Sequence, residues 1–192
     1  MPTIALDPRI ARTRHLLQAA LLDLAGRQPF ESISVADVAD SAGVNRSTFY
    51  QHYANKEVLL ADALDAQAAK AGADLSELDT PSFDVDGPPP ALVLRYAQHV
   101  HENSALYRQA LGERGSTIAV VRLRRRIASV AASGYAMFSR DEADLGMPIA
   151  IAAGSIAGSL LGILGAWLES ADPAPPEQVA EWIWSALARR DC

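Results

Sequence analysis

The sequence predicts an all-α fold, with a three-helix helix-turn-helix domain at the N-terminus followed by a larger helical domain. Three observations support this prediction. Apolar residues recur with helical spacing along most of the 192 residues. A single glycine, Gly43, separates two short helical patterns. Clusters of proline and glycine, such as residues 87–90, separate the longer ones. We place the domain boundary between residues 1–54 and residues 55–192.

The first predicted helix begins after Asp7 and runs to Gly26. Asp7 can cap the helix, and Pro8 suits its first position because that residue needs no amide hydrogen bond. The apolar residues that recur along it define one buried face. They are Ile10, Leu17, Leu21 and Leu24.

The second predicted helix begins at Ser34 or Val35 and ends at Gly43. Its apolar residues follow the spacing i, i+3, i+4 and i+7, which collects them on one face. Ser34 can accept hydrogen bonds from the first turn, and Asp37, three residues later, completes a capping box. Gly43 can adopt the left-handed conformation, so the chain can turn sharply there.

The third predicted helix begins after Asn45, a favourable N-cap residue. Phe49 is expected to point inward. The polar and aromatic residues around it are expected to project outward, which is typical of the helix that enters the major groove in a helix-turn-helix. A plain helical hairpin with a polar face has the same spacing, so these residues alone leave both interpretations open.

The run AGVNRSTFYQHYANKEVLL, residues 42–60, resembles the N-terminal domain of the TetR family of bacterial transcriptional regulators. The resemblance includes the Ala42-Gly43 turn, the TFY-x-HY run and the start of the next helix. It is strong over about the first 60 residues. It departs from the family pattern at residues 28–30 and at Asn45, where serine is usual. It implies a homodimer that represses transcription from a palindromic double-stranded DNA operator and is released by a small-molecule effector.

The resemblance also implies which residues contact DNA. We expect Arg46 and Thr48 to read base edges and Lys56, at the start of the fourth helix, to clamp a phosphate. The expected DNA-binding set is Val35, Arg46, Ser47, Thr48, Tyr50, Gln51, His52 and Lys56. The alternative function is a helical protein-interaction module that does not bind an operator.

The net charge of −6 does not exclude DNA binding, because the charge is unevenly distributed. Residues 1–60 contain six basic and six acidic residues, so the remainder of the chain carries the whole excess of negative charge. We expect Arg9, Arg12 and Arg14 to reach phosphates from the first helix.

The rest of the chain is predicted to be helical, apart from an acidic, turn-rich connector at 78–90. The expected helices are 55–72, 90–101, 104–111, 116–138 and a final one at 178–190. Side chains that combine an apolar body with a polar end make candidate effector contacts, although ordinary core packing is an alternative for each. These ligand-binding candidates are Tyr96, His99, Tyr107, Tyr135 and Phe138.

Several other chemistries receive no support from the sequence. His99 and His101 lie two residues apart on a helix and point to different faces, so we predict no metal site. The one cysteine, Cys192, allows no intrachain disulfide, and a cytoplasmic location is the simplest expectation. We find no nucleophile motif and no phosphate-binding loop, and therefore expect neither an enzyme nor a cofactor. The arginines at 122 and 124–126 are interpreted as a solvated helix face rather than a second nucleic-acid contact.

Residues 145–168 contain no charged residue and are long enough to cross a membrane. Small residues recur there every four positions, which also allows two helices of a soluble protein to approach closely. We favour a homodimer interface formed by this segment and the final helix, with no membrane. The expected interface residues are Gly154, Gly158, Leu161, Gly162, Trp167, Val179, Trp182 and Ile183.

Overall fold

The computed structural model describes residues 7–74, 87–112, 116–137 and 142–188. Every secondary-structure element within these ranges is a helix, so the all-α prediction is confirmed. The contacts divide the chain into two compact units, Met1–Ala66 and Gln67–Cys192. The first unit therefore extends beyond the boundary that we placed after residue 54, and it includes most of the fourth helix.

The first unit has a core built from the inward faces of its helices. Leu17, Leu21, Val38 and Phe49 are fully buried there. Ile10, which we expected on the buried face of the first helix, is 40% exposed because it lies in the first turn, ahead of the core. The elements are α1 (Pro8–Ala25), a 3-10 turn (Phe30–Ser32), α2 (Val35–Ser41), α3 (Arg46–His52) and α4 (Lys56–Lys70).

The second unit is built from the remaining helices. Helix α9 packs on α6, α7 and α10, and α10 also packs on α5. The elements are α5 (Ala91–Glu102), α6 (Ser104–Leu111), α7 (Thr117–Met137), α8 (Glu142–Leu145), α9 (Ile149–Glu169) and α10 (Pro176–Ala188). The predicted bounds of these helices agree to within a few residues where they are described. Most of the predicted connector at 78–90, together with Phe138 and Cys192, lies outside the described residues.

The uncharged segment at 145–168 does not form one continuous helix. Gly146 has a φ of +64°, and Pro148 caps the N-terminus of α9, so the helix begins only at Ile149. Helix α9 is long and apolar enough to cross a membrane by length and composition, and core helices of soluble proteins can pass the same test. Only 28% of its most apolar window is buried within the chain, so much of this apolar helix is at least partly exposed.

Candidate nucleic-acid interface

Helix α2 is closed at its N-terminus by the predicted capping box. The amide of Asp37 donates to Ser34 Oγ at 3.2 Å, and the amide of Ser34 donates to Asp37 Oδ2 at 2.8 Å. Hydrogen bonds from the Ser34 hydroxyl and then from its amide lower the pKa of Asp37. At the other end Gly43 has a φ of +68°, the left-handed conformation expected for the turn. Both predictions for this helix are confirmed.

Helix α3 begins at a single side chain that accepts three hydrogen bonds. Asn45 Oδ1 accepts from the amide of Thr48 at 2.7 Å, from Thr48 Oγ1 at 2.9 Å and from Ser47 Oγ at 2.6 Å. The predicted N-cap is therefore confirmed. Because both hydroxyl protons point back to the cap, the two side chains offer oxygen lone pairs and a methyl group to a partner at this end of the helix.

The two faces of α3 have opposite character. Phe49 is completely buried, as predicted, and the ring of Tyr50 stands edge-on to it at 5.5 Å between ring centroids. Tyr50 itself is 58% exposed. Arg46 and Gln51 are exposed as well, and neither side chain donates a hydrogen bond within the described part of the chain. This face therefore presents a guanidinium, an amide and a phenol to the solvent. His52 is half-buried, as is Val35 in the first turn of α2.

The C-terminal end of α3 is fixed by a buried polar cluster that was not predicted from the sequence. The Tyr53 hydroxyl donates to Asp62 Oδ2 at 2.5 Å, and the same oxygen accepts from Arg14 Nη2 at 2.9 Å and from Gln18 Nε2 at 2.8 Å. Arg14 Nε also donates to the Tyr53 hydroxyl at 3.2 Å. One carboxylate oxygen thus holds α1, the residue after α3, and α4 together. We call these four residues the Asp62 cluster.

The electrostatics of the Asp62 cluster agree with this geometry. Burial alone would raise the pKa of Asp62, but the hydrogen bonds from Tyr53, Arg14 and Gln18 together outweigh it, so the pKa of Asp62 is lowered. Burial, and next the hydrogen bond to Asp62, raises the pKa of Tyr53 to about 12. The guanidinium of Arg14 is therefore hydrogen-bonded within the protein, and it is not free to contact a phosphate as we expected. Arg9 and Arg12 remain exposed.

Lys56, the predicted phosphate clamp, contacts protein carbonyl groups in this structure. Its Nζ donates to the carbonyl oxygens of Phe30 at 2.8 Å, Glu31 at 3.1 Å and Ile33 at 2.7 Å. It also lies 4.6 Å from the centroid of the Phe30 ring. The first turn of α4 is capped separately, by Asn55 Oδ1, which accepts from the amide of Val58 at 2.8 Å.

Four of the predicted effector contacts lie in the second unit. Tyr96, His99 and Tyr107 are buried, and the rings of the last two meet edge to face at 5.7 Å. Tyr135 is half-buried, whereas Phe138 is outside the described residues. His99 is 3% exposed, and its Nε2 has no hydrogen-bond partner among the residues that the structure describes. Burial lowers the pKa of His99, which keeps the ring neutral near pH 7.

The predicted dimer residues separate into two groups. Trp167, Val179 and Ile183 are at most 5% exposed, so they pack inside their own chain and cannot contact a second subunit. For these three the prediction is wrong, because α9 and α10 are apolar on several faces and spacing alone does not show which face is covered. The residues left at the surface are Gly154, Gly158, Leu161, Gly162 and Trp182, of which Trp182 is 45% exposed.

The geometry of α2 and α3 is that of a helix-turn-helix, with a short turn, a buried anchor at Phe49 and a polar outer face. Comparison with known proteins agrees. Residues 16–63 match the profile of the "Bacterial regulatory proteins, tetR family". The N-terminal domain of this chain is therefore similar to that of the TetR family of transcriptional regulators.

Individual proteins are similar to this chain in sequence or in fold. The chain is 42% identical over 66 residues to the uncharacterised HTH-type transcriptional regulator YxbF of Bacillus subtilis, which is 34% of this chain and 17% of that protein. A protein assigned to the TetR family from Syntrophomonas wolfei has the same fold, with a TM-score of 0.65 and 19% identity over 91% of this chain and 92% of the other. The regulator RolR, crystallised with resorcinol, aligns with a TM-score of 0.52 and 18% identity over 94% and 87% of the two chains.

Proposed function

We propose that this protein is a homodimeric repressor that binds a near-palindromic DNA operator and is released by a small molecule. The outer face of α3 carries this proposal, because an exposed guanidinium, amide and phenol stand on a helix anchored at both ends. Arg46 would read a guanine edge through its guanidinium, and Thr48 would read a base through its oxygen or methyl group. Ser47, Tyr50 and His52 would contact phosphates, or a phosphate and a base together. Gln51 would contact either a base edge or a phosphate.

Duplex DNA from the region upstream of the protein's own gene provides the first test. We expect fluorescence anisotropy to show specific binding that weakens with salt. Arg46→Ala should cost about 1–3 kcal/mol on the operator and relax specificity at one base pair. Tyr50→Ala should weaken operator and unrelated DNA alike. If the wild-type protein prefers no duplex, the alternative of a protein-interaction module without operator binding is favoured instead.

The exposed apolar surface of α9 and α10 supports the homodimer. Ile151 is 58% and Trp182 is 45% exposed, and a Cβ added at Gly158 would meet no atom within 4 Å. Close approach of a second copy would bury this surface, and a twofold axis would match a palindromic operator. We therefore propose a soluble cytoplasmic dimer in preference to a membrane span.

Sedimentation velocity tests the interface directly. Trp182→Arg places a charge on the proposed surface and should shift the protein from dimer to monomer. Ile118→Arg is the matched control, because Ile118 is 37% exposed on α7 and should leave the dimer intact. A monomeric wild-type protein, or equal effects of the two substitutions, would contradict the proposed interface.

The effector proposal is supported by the buried Nε2 of His99, which has no partner in the described ranges. Asn103 Nδ2 lies 3.3 Å from His99 Nδ1, which assigns the lone pair to Nδ1 and the proton to Nε2. A buried N–H donor calls for an acceptor, and a small molecule bearing an oxygen would supply one. RolR, which shares the fold, was crystallised with the phenol resorcinol.

A panel of small phenols and carboxylic acids, added to the operator complex, tests this part. Release of DNA by one compound from the wild-type protein, and no release from His99→Phe, would support the site. Release that persists in His99→Phe would place the effector elsewhere.

A further inference from the structure

We infer that Lys56 is a positioning residue whose ammonium group contacts no phosphate and instead holds the 3-10 turn before α2 against the start of α4. This inference rests on the proposed DNA-binding function. Lys56 was expected from the sequence to contact a phosphate, and it has a structural role instead. No pattern in the sequence indicated that role.

The ammonium group of Lys56 has no hydrogen-bonding capacity left. A lysine side chain carries three N–H donors, and all three are used at 2.7–3.1 Å by the carbonyl oxygens of Phe30, Glu31 and Ile33. Its position near the face of the Phe30 ring adds a cation–π contact. A phosphate could be bound only after the ammonium group gave up one of these carbonyl oxygens, two of which, those of Phe30 and Ile33, are part-buried.

The three carbonyl groups lie where the orientation of the helix-turn-helix is set. Phe30 and Ile33 are buried, and Ser34, the N-cap of α2, follows directly. Lys56 therefore fixes the entry of the chain into α2, just as the Asp62 cluster fixes the exit of the chain from α3. Displacing the entry would tilt both helices against the DNA, so base readout would suffer more than phosphate attraction.

Amine labelling tests the contact without any substitution, because Lys56 and Lys70 are the only two lysines in the sequence. Lys70 is exposed at the end of α4 and serves as an internal control. Reductive methylation followed by mass spectrometry should modify Lys70 readily and Lys56 slowly, both in the free protein and in the operator complex. A phosphate clamp would instead be reactive in the free protein and protected by DNA. Any pattern other than protection of Lys56 in both states overturns the inference.

Salt dependence of operator binding gives a second, independent test. Loss of a phosphate contact lowers the slope of log Kd against log salt by about 0.9. We expect Lys56→Met to raise the operator Kd about 10-fold with no change in this slope, and to reduce the preference for operator over unrelated DNA. Lys70→Met should change neither quantity. A lower slope in Lys56→Met with an unchanged preference overturns the inference.

Lys56→Arg separates charge from geometry if Lys56→Met folds poorly. A guanidinium keeps the charge but directs its donors in a flat fork, so it cannot satisfy three converging carbonyl groups. We expect weak operator binding and a normal slope, whereas full rescue by arginine would indicate a phosphate contact. Failure of the wild-type protein to bind any operator would count against the proposed function alone, since labelling of the free protein still tests the Lys56 contacts.

Discussion

Asp62→Asn provides the most direct test of how the N-terminal unit is held together. The substitution keeps the shape of the side chain and removes its charge. Asp62 is 8% exposed and accepts hydrogen bonds from three side chains on one oxygen. Hydrogen bonds to charged groups contribute about 1.5–3 kcal/mol each, but the amide oxygen can still accept, and Arg14 is one-third exposed and partly screened. We therefore expect the free energy of unfolding to fall by about 2 kcal/mol.

Urea unfolding followed by circular dichroism measures this loss, and hydrogen exchange of the α1 and α3 amides locates it. With an m-value of about 2 kcal/mol/M, the midpoint should fall by roughly 1 M. Asp23→Asn is the matched control, because the Asp23–Arg27 pair is in the same unit but exposed, and its loss should cost less than about 0.5 kcal/mol. If the two variants unfold within about 0.5 kcal/mol of each other, the Asp62 cluster does not stabilise the unit.

Three further substitutions probe the turn, the cap and the phenol. Gly43→Ala should destabilise the protein by about 1 kcal/mol, because its φ of +68° strains any residue with a Cβ; equal thermal stability in differential scanning calorimetry would contradict this. Asn45→Ala should cost about 1 kcal/mol and fray α3, seen as faster amide exchange at Thr48. The raised pKa of Tyr53 stabilises the neutral phenol, so this stabilisation is present below about pH 10 and is lost as pH rises towards about 12. Tyr53→Phe should remove that alkaline loss in urea titrations between those values, and an unchanged pH profile would exclude the assigned partner.

The local features of the helix-turn-helix could be predicted because they depend on near neighbours in the chain. The capping box at Ser34, the left-handed glycine at Gly43 and the N-cap at Asn45 all involve residues no more than a few positions apart. The burial of Phe49 followed from helical spacing. In each case the stabilising interaction joins residues within about one turn of helix, so it can be predicted from their order in the sequence.

The Asp62 cluster and the Lys56 contacts could not be predicted in the same way. Arg14 and Asp62 are separated by 48 positions, and Lys56 and Phe30 by 26, so their pairing depends on how the helices pack. The spacing of Arg14 and Gln18, four apart on α1, was the one available signal of a shared partner. The burial of Trp167 and the exposure of Trp182 could not be predicted from the sequence either, because α9 and α10 are apolar on more than one face.

Helix α3 has only seven residues, too few to be stable alone in water. Its shape is supplied by the side-chain oxygen of Asn45 at one end, by the buried Tyr53 at the other and by the buried Phe49 beneath. The side chains of Arg46 and Gln51 make no hydrogen bond to the residues that the structure describes. Arg46 and Gln51, two of the residues that we propose contact DNA, are thus separate from the residues that cap and bury the helix. New binding preferences could therefore arise by substitution at these outer positions with little loss of stability, which makes α3 a suitable position for evolving or engineering altered specificity.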